Sequence, residues 1–176
     1  MRAAISVIIP TLNAEVTLPG CAAGLFEGVQ EGLLRELIVS DGGSGDNTQA
    51  IAEELGAEFV RAGAERRAQM QRGAEVARGD WLLFLPPESQ LQPGWTDAVK
   101  AHMSSQMAAV FRLEGGSVAA RLAAGWRSAF GGTTAQQGLL VRALDYARAG
   151  GHDADGRVRV PRPLLLSATV RRSVHG

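Results

Sequence analysis

The chain has 176 residues and a mass of 18.5 kDa, enough for one ordinary core and too little for two full-sized ones. Hydrophobic residues make up 45% and charged ones 20%, which excludes disordered and collagen-like classes, and the single cysteine, Cys21, excludes an intramolecular disulfide and any cysteine-cluster metal site. Net charge is zero, but residues 1–111 carry 8 basic and 14 acidic groups and residues 112–176 carry 10 and 4, so the halves stand at −6 and +6; the imbalance points to a phosphate-bearing ligand or to pairing between the halves, and a nucleic-acid partner is not expected.

Ala4 to Ile9 is a continuous apolar, β-branched run ended by Pro10, the pattern of a strand buried on both faces. Leu18, Cys21, Ala22, Leu25, Phe26 and Val29 follow at helical spacing, with Pro19 in the first turn and Cys21 as a small buried hydrophobe. Leu37 to Val39 predicts a second buried strand ending at Asp41, and Ser44 or Asp46 can cap a helix that carries Ile51, Ala52 and Leu55 to Gly56. A third strand over 57–61, a helix over 65–78 closed by Gly79, and a fourth strand over 81–85 complete a strict alternation. Such alternation predicts a mostly parallel α/β sheet flanked by helices, with ligands at the carboxyl ends of the strands.

Beyond Pro86 the expected elements are a helix over 95–103, a strand over 108–113, an amphipathic helix over 118–130, a strand over 139–141, a helix over 143–149 and a last strand over 164–170. Trp95, Trp126 and Phe130 are read either as core or as a surface that faces a ligand or a membrane. Burial of Leu164, Leu165 and Leu166 is expected to dock the last strand and carry Arg171 and Arg172 back to the sheet. No repeat or linker divides the chain, so a single domain over 1–176 is expected. The apolar opening is too short for an export signal, and no stretch approaches the roughly 20 apolar residues of a bilayer span. The expected location is the cytoplasm, free or peripheral at the inner face of the membrane.

Three strand ends converge on one rim, bringing Pro10, Thr11, Asn13 and Glu15 beside Asp41 to Asp46 and Glu88. Asp41 can accept hydrogen bonds from a base or ribose, while Gly42 and Gly43 admit the backbone close to a ligand; a plain tight turn capped by Asp46 is the alternative. In His152-Asp153-Ala-Asp155-Gly156, the Asp-X-Asp spacing could supply metal oxygens or a base, or form a polar turn with Gly156 at positive φ. No nucleophile elbow and no zinc site is found.

Ser6-Val-Ile-Ile-Pro-Thr-Leu-Asn-Ala-Glu15 and Glu36-Leu-Ile-Val-Ser-Asp-Gly-Gly-Ser-Gly-Asp-Asn-Thr48 together resemble family 2 glycosyltransferases of the GT-A fold. The resemblance continues through Ala77-Arg-Gly-Asp-Trp-Leu-Leu-Phe-Leu85. Gln69-Met70, Gly73-Ala74 and the closing Arg171-Arg172 are similar to a bacterial subgroup of short radical-SAM/selenodomain-associated transferases. The resemblance implies transfer of a sugar from a nucleotide-diphosphate sugar to an unidentified acceptor hydroxyl. It implies a nucleotide-binding half over 1–90, an acceptor-side half over 91–176, nucleotide contacts from Pro10, Thr11, Glu15, Asp41 and Arg66, and phosphate contacts from Arg171 and Arg172.

Against the family pattern, Pro86-Pro87-Glu88-Ser89 stands where an acidic metal motif is expected. Only Glu88 is left as a metal ligand, so Mg²⁺ or Mn²⁺ is expected to bind weakly or together with substrate phosphates. The segment that normally supplies the catalytic base is shortened, leaving Asp153 and Asp155 as candidate catalytic acids. A noncatalytic nucleotide-sugar-binding or scaffold protein and a nucleotidyltransferase are the alternatives.

Overall fold

The computed structural model describes residues 4–114, 137–161 and 163–173. The first half alternates as its apolar periods dictate: β1 (Ile5–Thr11), α1 (Leu18–Gln30), β2 (Leu34–Asp41), α2 (Thr48–Glu54), β3 (Glu58–Arg61), α3 (Arg66–Val76) and β4 (Trp81–Phe84). β1 is buried along its whole length, because it lies between β2 and β4 and is covered on both faces. The pairs β3-β2, β2-β1 and β1-β4 are all parallel, and Thr11 stands opposite Asp41 at the carboxyl end of the first pair.

The second half contributes β5 (Ser89–Leu91), α4 (Trp95–Met103), β6 (Ala109–Leu113), β7 (Leu139–Arg142), α5 (Ala143–Arg148) and β8 (Leu164–Arg172). Together these eight strands form one sheet in the order β3-β2-β1-β4-β7-β6-β8-β5. β7 runs antiparallel to both β4 and β6, and β8 lies parallel to β6 and antiparallel to β5. The α/β sheet with helices on both faces matches the expected fold class. β5 is an addition to the expected elements, and the helix expected over 118–130, with Trp126 and Phe130, lies outside the described residues.

Strand alternation divides the core. Ile5, Val7 and Ile9 join Leu18, Cys21 and Leu25 of α1 and Trp95 and Val99 of α4 on one face, whereas Ile8 joins Met70 of α3 and Tyr146 of α5 on the other. Trp95 is fully buried, with its indole N–H donated to the Gly24 carbonyl at 3.1 Å, so it is a core residue and not part of an acceptor or membrane surface. Cys21 is buried, and its thiol is pushed well up by burial and by the charge of Glu88, which leaves it inert.

Two expectations about apolar residues are corrected. Phe26 and Val29 are exposed, because α1 turns Leu18, Cys21, Leu25 and Gly28 inward and those two fall on its outer side. Leu164 and Leu165 are also exposed; Leu166, Ala168 and Val170 are the residues that dock β8. No helix among the described residues is long and apolar enough to cross a membrane.

Candidate functional site

The carboxyl ends of β1 and β2 are joined by a dense polar network. Asp41, at the last position of β2 and 3% exposed, accepts from Thr11 Oγ1 at 2.9 Å, from the Gly43 and Ser44 backbone N–H groups at 2.9 and 2.8 Å, and from Ser44 Oγ at 2.5 Å. Burial alone would raise this carboxyl, but the hydrogen bonds from Ser44, Gly43 and Thr11 outweigh it and hold Asp41 below the usual range. The turn closes because Gly43 takes φ +103°, a conformation that costs a side-chain-bearing residue dearly.

The segment after β1 is bound to the segment after β2 by alternating backbone and side-chain bonds. Asn13 N–H donates to Ser44 Oγ at 2.8 Å and Asn13 Oδ1 accepts from Gly45 N–H at 2.9 Å; Ala14 N–H donates to Thr48 Oγ1 at 2.8 Å and Glu15 N–H to Asp46 Oδ2 at 3.0 Å. Glu15 Oε2 in turn accepts from the Asn47 backbone and side-chain amides at 3.0 and 2.9 Å. Asp46 Oδ1 receives the Thr48 N–H at 3.0 Å ahead of α2, whose N-cap position is held by Asn47 and not by the expected Ser44 or Asp46, and further hydrogen bonds hold the Asp46 carboxyl low despite desolvation. Pro10, Thr11, Glu15 and Asp41 are thus brought together as expected. Arg66, the first residue of α3, is exposed and takes no part in this network.

A second group of residues lies on the α3 and α5 face of β4. His152 is 1% exposed, its Nδ1 is 2.9 Å from the Tyr146 hydroxyl, and its ring meets Phe84 edge-on at 4.7 Å between centroids. Burial pushes the His152 imidazole down to about 4, with the Asp153 carboxylate and the Arg66 guanidinium acting in opposite directions, and burial lifts the Tyr146 phenol to about 12. Sequence reasoning treated residue 152 as the edge of a polar turn, and no local signal marks it as core; its aromatic partners come from β4 and α5.

Asp153 itself is the pivot of a turn. Its Oδ1 accepts from the Asp155 and Arg157 N–H groups at 3.0 and 2.9 Å, and Gly156 has φ +70°, so the polar-turn alternative describes this segment. Hydrogen bonds from the turn hold the Asp153 carboxyl low. Asp155 is exposed.

On the far side of the rim, Glu88 follows β4 and lies 3.6 Å from Arg172, while Arg171 pairs with Glu114 through contacts of 2.6 and 3.3 Å. The two arginines are consecutive on β8 and project from opposite faces, so they do not act as one unit. Among the described residues no three His, Cys, Asp or Glu side chains are grouped to hold a metal ion. Glu88 alone fits a divalent cation only if phosphate oxygens and water complete the shell.

Comparison with known proteins gives this rim a lineage. The sequence profile of glycosyl transferase family 2 matches residues 6–124. A PGL/p-HBAD biosynthesis glycosyltransferase of Mycobacterium bovis (strain BCG / Pasteur 1173P2) is 36% identical over 93 residues, covering 49% of this chain. The chain spans 36% of the length of that relative. A TPR repeat-containing protein of Synechococcus elongatus is 36% identical over 83 residues, covering 46% of this chain and 19% of that protein. Glucosyl-3-phosphoglycerate synthase from Mycobacterium tuberculosis, in complex with phosphoglyceric acid, superimposes with a TM-score of 0.70 at 20% identity, covering 98% of this chain and 72% of the other. The same enzyme bound to Mn²⁺, uridine-diphosphate-glucose and phosphoglyceric acid gives 0.62 at 21% identity over 80% of this chain and 57% of that one. With its profile matched over more than half of its length, the chain belongs to glycosyl transferase family 2.

Proposed function

We propose that the domain binds a nucleotide-diphosphate sugar at the ends of β1 and β2 and supports transfer of the sugar to an acceptor hydroxyl. The observation that carries this reading is the preformed cradle in which Thr11, Asp41, Gly43 and Ser44 are joined in one network at a parallel strand end. Its lone pairs are engaged by its own loop, so a base or ribose donor would reach Asp41 by displacing the Ser44 hydroxyl, the donor least tied to the backbone. Pro10, Thr11 and Glu15 would border the nucleoside, and Arg66 would meet it from the start of α3.

A divalent cation, when bound, neutralises charge on a departing diphosphate. In this chain Glu88 would hold it, weakly and together with substrate phosphates. Arg172, beside Glu88, would then serve the same phosphates, whereas Arg171 is held away by Glu114. Asp155 is the acid of the 152–156 turn that remains exposed and so the better base; Asp153 serves the turn. The finer placement in the radical-SAM/selenodomain-associated subgroup rests on Gln69-Met70 and Gly73-Ala74. Gln69 and Met70 are buried, with Gln69 donating to the Ala64 carbonyl at 3.1 Å beneath the Gly42 turn.

A noncatalytic binder is the second reading, favoured by the engagement of Asp153 and Glu88 in internal contacts. Titration calorimetry with UDP, GDP and their sugars, combined with a transfer assay on a panel of acceptors, separates the two. Binding with turnover supports the transferase, binding without turnover supports the binder, and no binding to folded protein rejects both.

A further inference from the structure

Glu88 is held to β8 at two levels. Ser173 N–H donates to the Glu88 carbonyl at 2.8 Å, and the antiparallel pairing of β5 with β8 sets Ser89 opposite Arg172. Val170, two residues before Arg172, is fully buried and fixes the strand. The backbone of Arg172 is therefore anchored at the rim, but its side chain is long and 42% exposed. Its guanidinium lies 3.6 Å from Glu88 Oε1, an ion pair without a close hydrogen bond. Arg171, by contrast, is clamped on Glu114 by two contacts.

We infer that Arg172 makes cation capture at Glu88 conditional on a diphosphate, an inference that rests on the nucleotide-binding reading above. In the ligand-free rim the guanidinium neutralises the carboxylate and repels a dication. A diphosphate offers several anionic oxygens in place of one carboxylate and matches the guanidinium fork, so Arg172 shifts onto it and Glu88 is released. Carboxylate and phosphates together then take the cation, which keeps its remaining waters. The order of binding is diphosphate first and metal second. Because the pair is partly exposed, its effect on metal affinity is about tenfold and not larger.

The test is a Mn²⁺ titration followed by the electron paramagnetic resonance of free Mn²⁺, on the wild type, Arg172→Gln, Arg172→Lys and Glu88→Gln, with and without UDP. Calorimetry of UDP in EDTA and a circular dichroism check of folding accompany it. The wild type should bind Mn²⁺ weakly alone and more tightly with UDP than UDP itself does. Arg172→Gln should bind Mn²⁺ alone about tenfold more tightly and metal-free UDP more weakly, and Arg172→Lys should keep the block on Mn²⁺. Glu88→Gln should lose the UDP-dependent Mn²⁺ while still binding UDP in EDTA. If Arg172→Gln is folded, binds UDP and has the wild-type affinity for Mn²⁺ alone, the inference is overturned and the nucleotide-binding reading stands. If neither UDP nor GDP binds the folded wild type, both fall.

Discussion

At the ends of β1 and β2 the carboxylates Glu15, Asp41 and Asp46 are all engaged by neutral donors, short side chains and backbone N–H groups. Beyond β4 and β6 the carboxylates Glu88 and Glu114 face Arg172 and Arg171 of β8 instead. Short neutral donors lose little freedom when they are fixed, so the first side of the rim is a rigid, preorganised surface. Long charged side chains in partly exposed positions lose more freedom when they are fixed, and Arg172, 3.6 Å from Glu88, can change partner where Arg171 stays on Glu114. The comparison teaches that one rim holds two kinds of chemistry, which the proposed function assigns to recognition and to charge handling. Under that reading the β1 and β2 side keeps its form where Glu88 alone stands beyond β4, because its own donors hold it.

The largest effect that would break this comparison is at Asp41. Asp41→Ala leaves the Thr11 and Ser44 hydroxyls and two N–H groups without their acceptor, and should cost about 3 kcal/mol or more of stability. Urea denaturation measures the cost, and calorimetry should show nucleotide binding lost with it. Retention of both would show that the cradle does not depend on this carboxylate.

The next effect concerns pH. His152 is neutral in the folded chain with its pKa pushed down to about 4 by burial, whereas the unfolded chain protonates near 6.5. Between these values the unfolded state binds more protons. Stability is therefore complete above pH 6.5 and falls as the pH drops towards 4, by about 3 kcal/mol in all. Denaturation midpoints measured from pH 7.5 to 4 should show this slope in the wild type and a much shallower one in His152→Phe.

Thr48→Val sharpens the comparison at smaller scale. It removes the acceptor of Ala14 N–H and a donor to Asp46, and should cost about 1 to 2 kcal/mol, with weaker nucleotide binding because the two loops loosen together. The smallest effect is expected at Glu114→Gln on the arginine side, where the urea midpoint should not move measurably and Arg171 should become more accessible to phenylglyoxal. A large loss of stability there would place Glu114–Arg171 among the structural contacts and undo the distinction.

Much of the first half was legible because β1, β4 and the second half of β2 are buried on both faces and so read as largely apolar runs. β5 was not legible: Ser-Gln-Leu has no strand signature of its own and is a strand only because β8 pairs with it. The outer side of α1 misled for a related reason. Phe26 and Val29 keep helical spacing with the core residues, and only the direction from which the sheet approaches decides which stripe is covered. Asp41 was legible as a carboxylate at a strand end, but the engagement of its lone pairs by Ser44 and Gly43 depends on a loop conformation that spacing does not encode. His152 was hidden because its surroundings come from Phe84 and Tyr146, while its own neighbours in sequence are turn-formers.

The insertion of β8 between β6 and β5 has a consequence for the order in which the molecule can assemble. β3, β2, β1 and β4 pair through contacts available once about half of the chain has been synthesised, but β5 and much of β6 have no partner until residues 164–172 arrive, about 80 residues after β5. During that interval two strand edges stand open, a state prone to wrong pairing. Folding should therefore proceed in two stages. The arrival of residues 164–172, and not the early parallel sheet, should set the time at which Glu88 and Arg172 first meet.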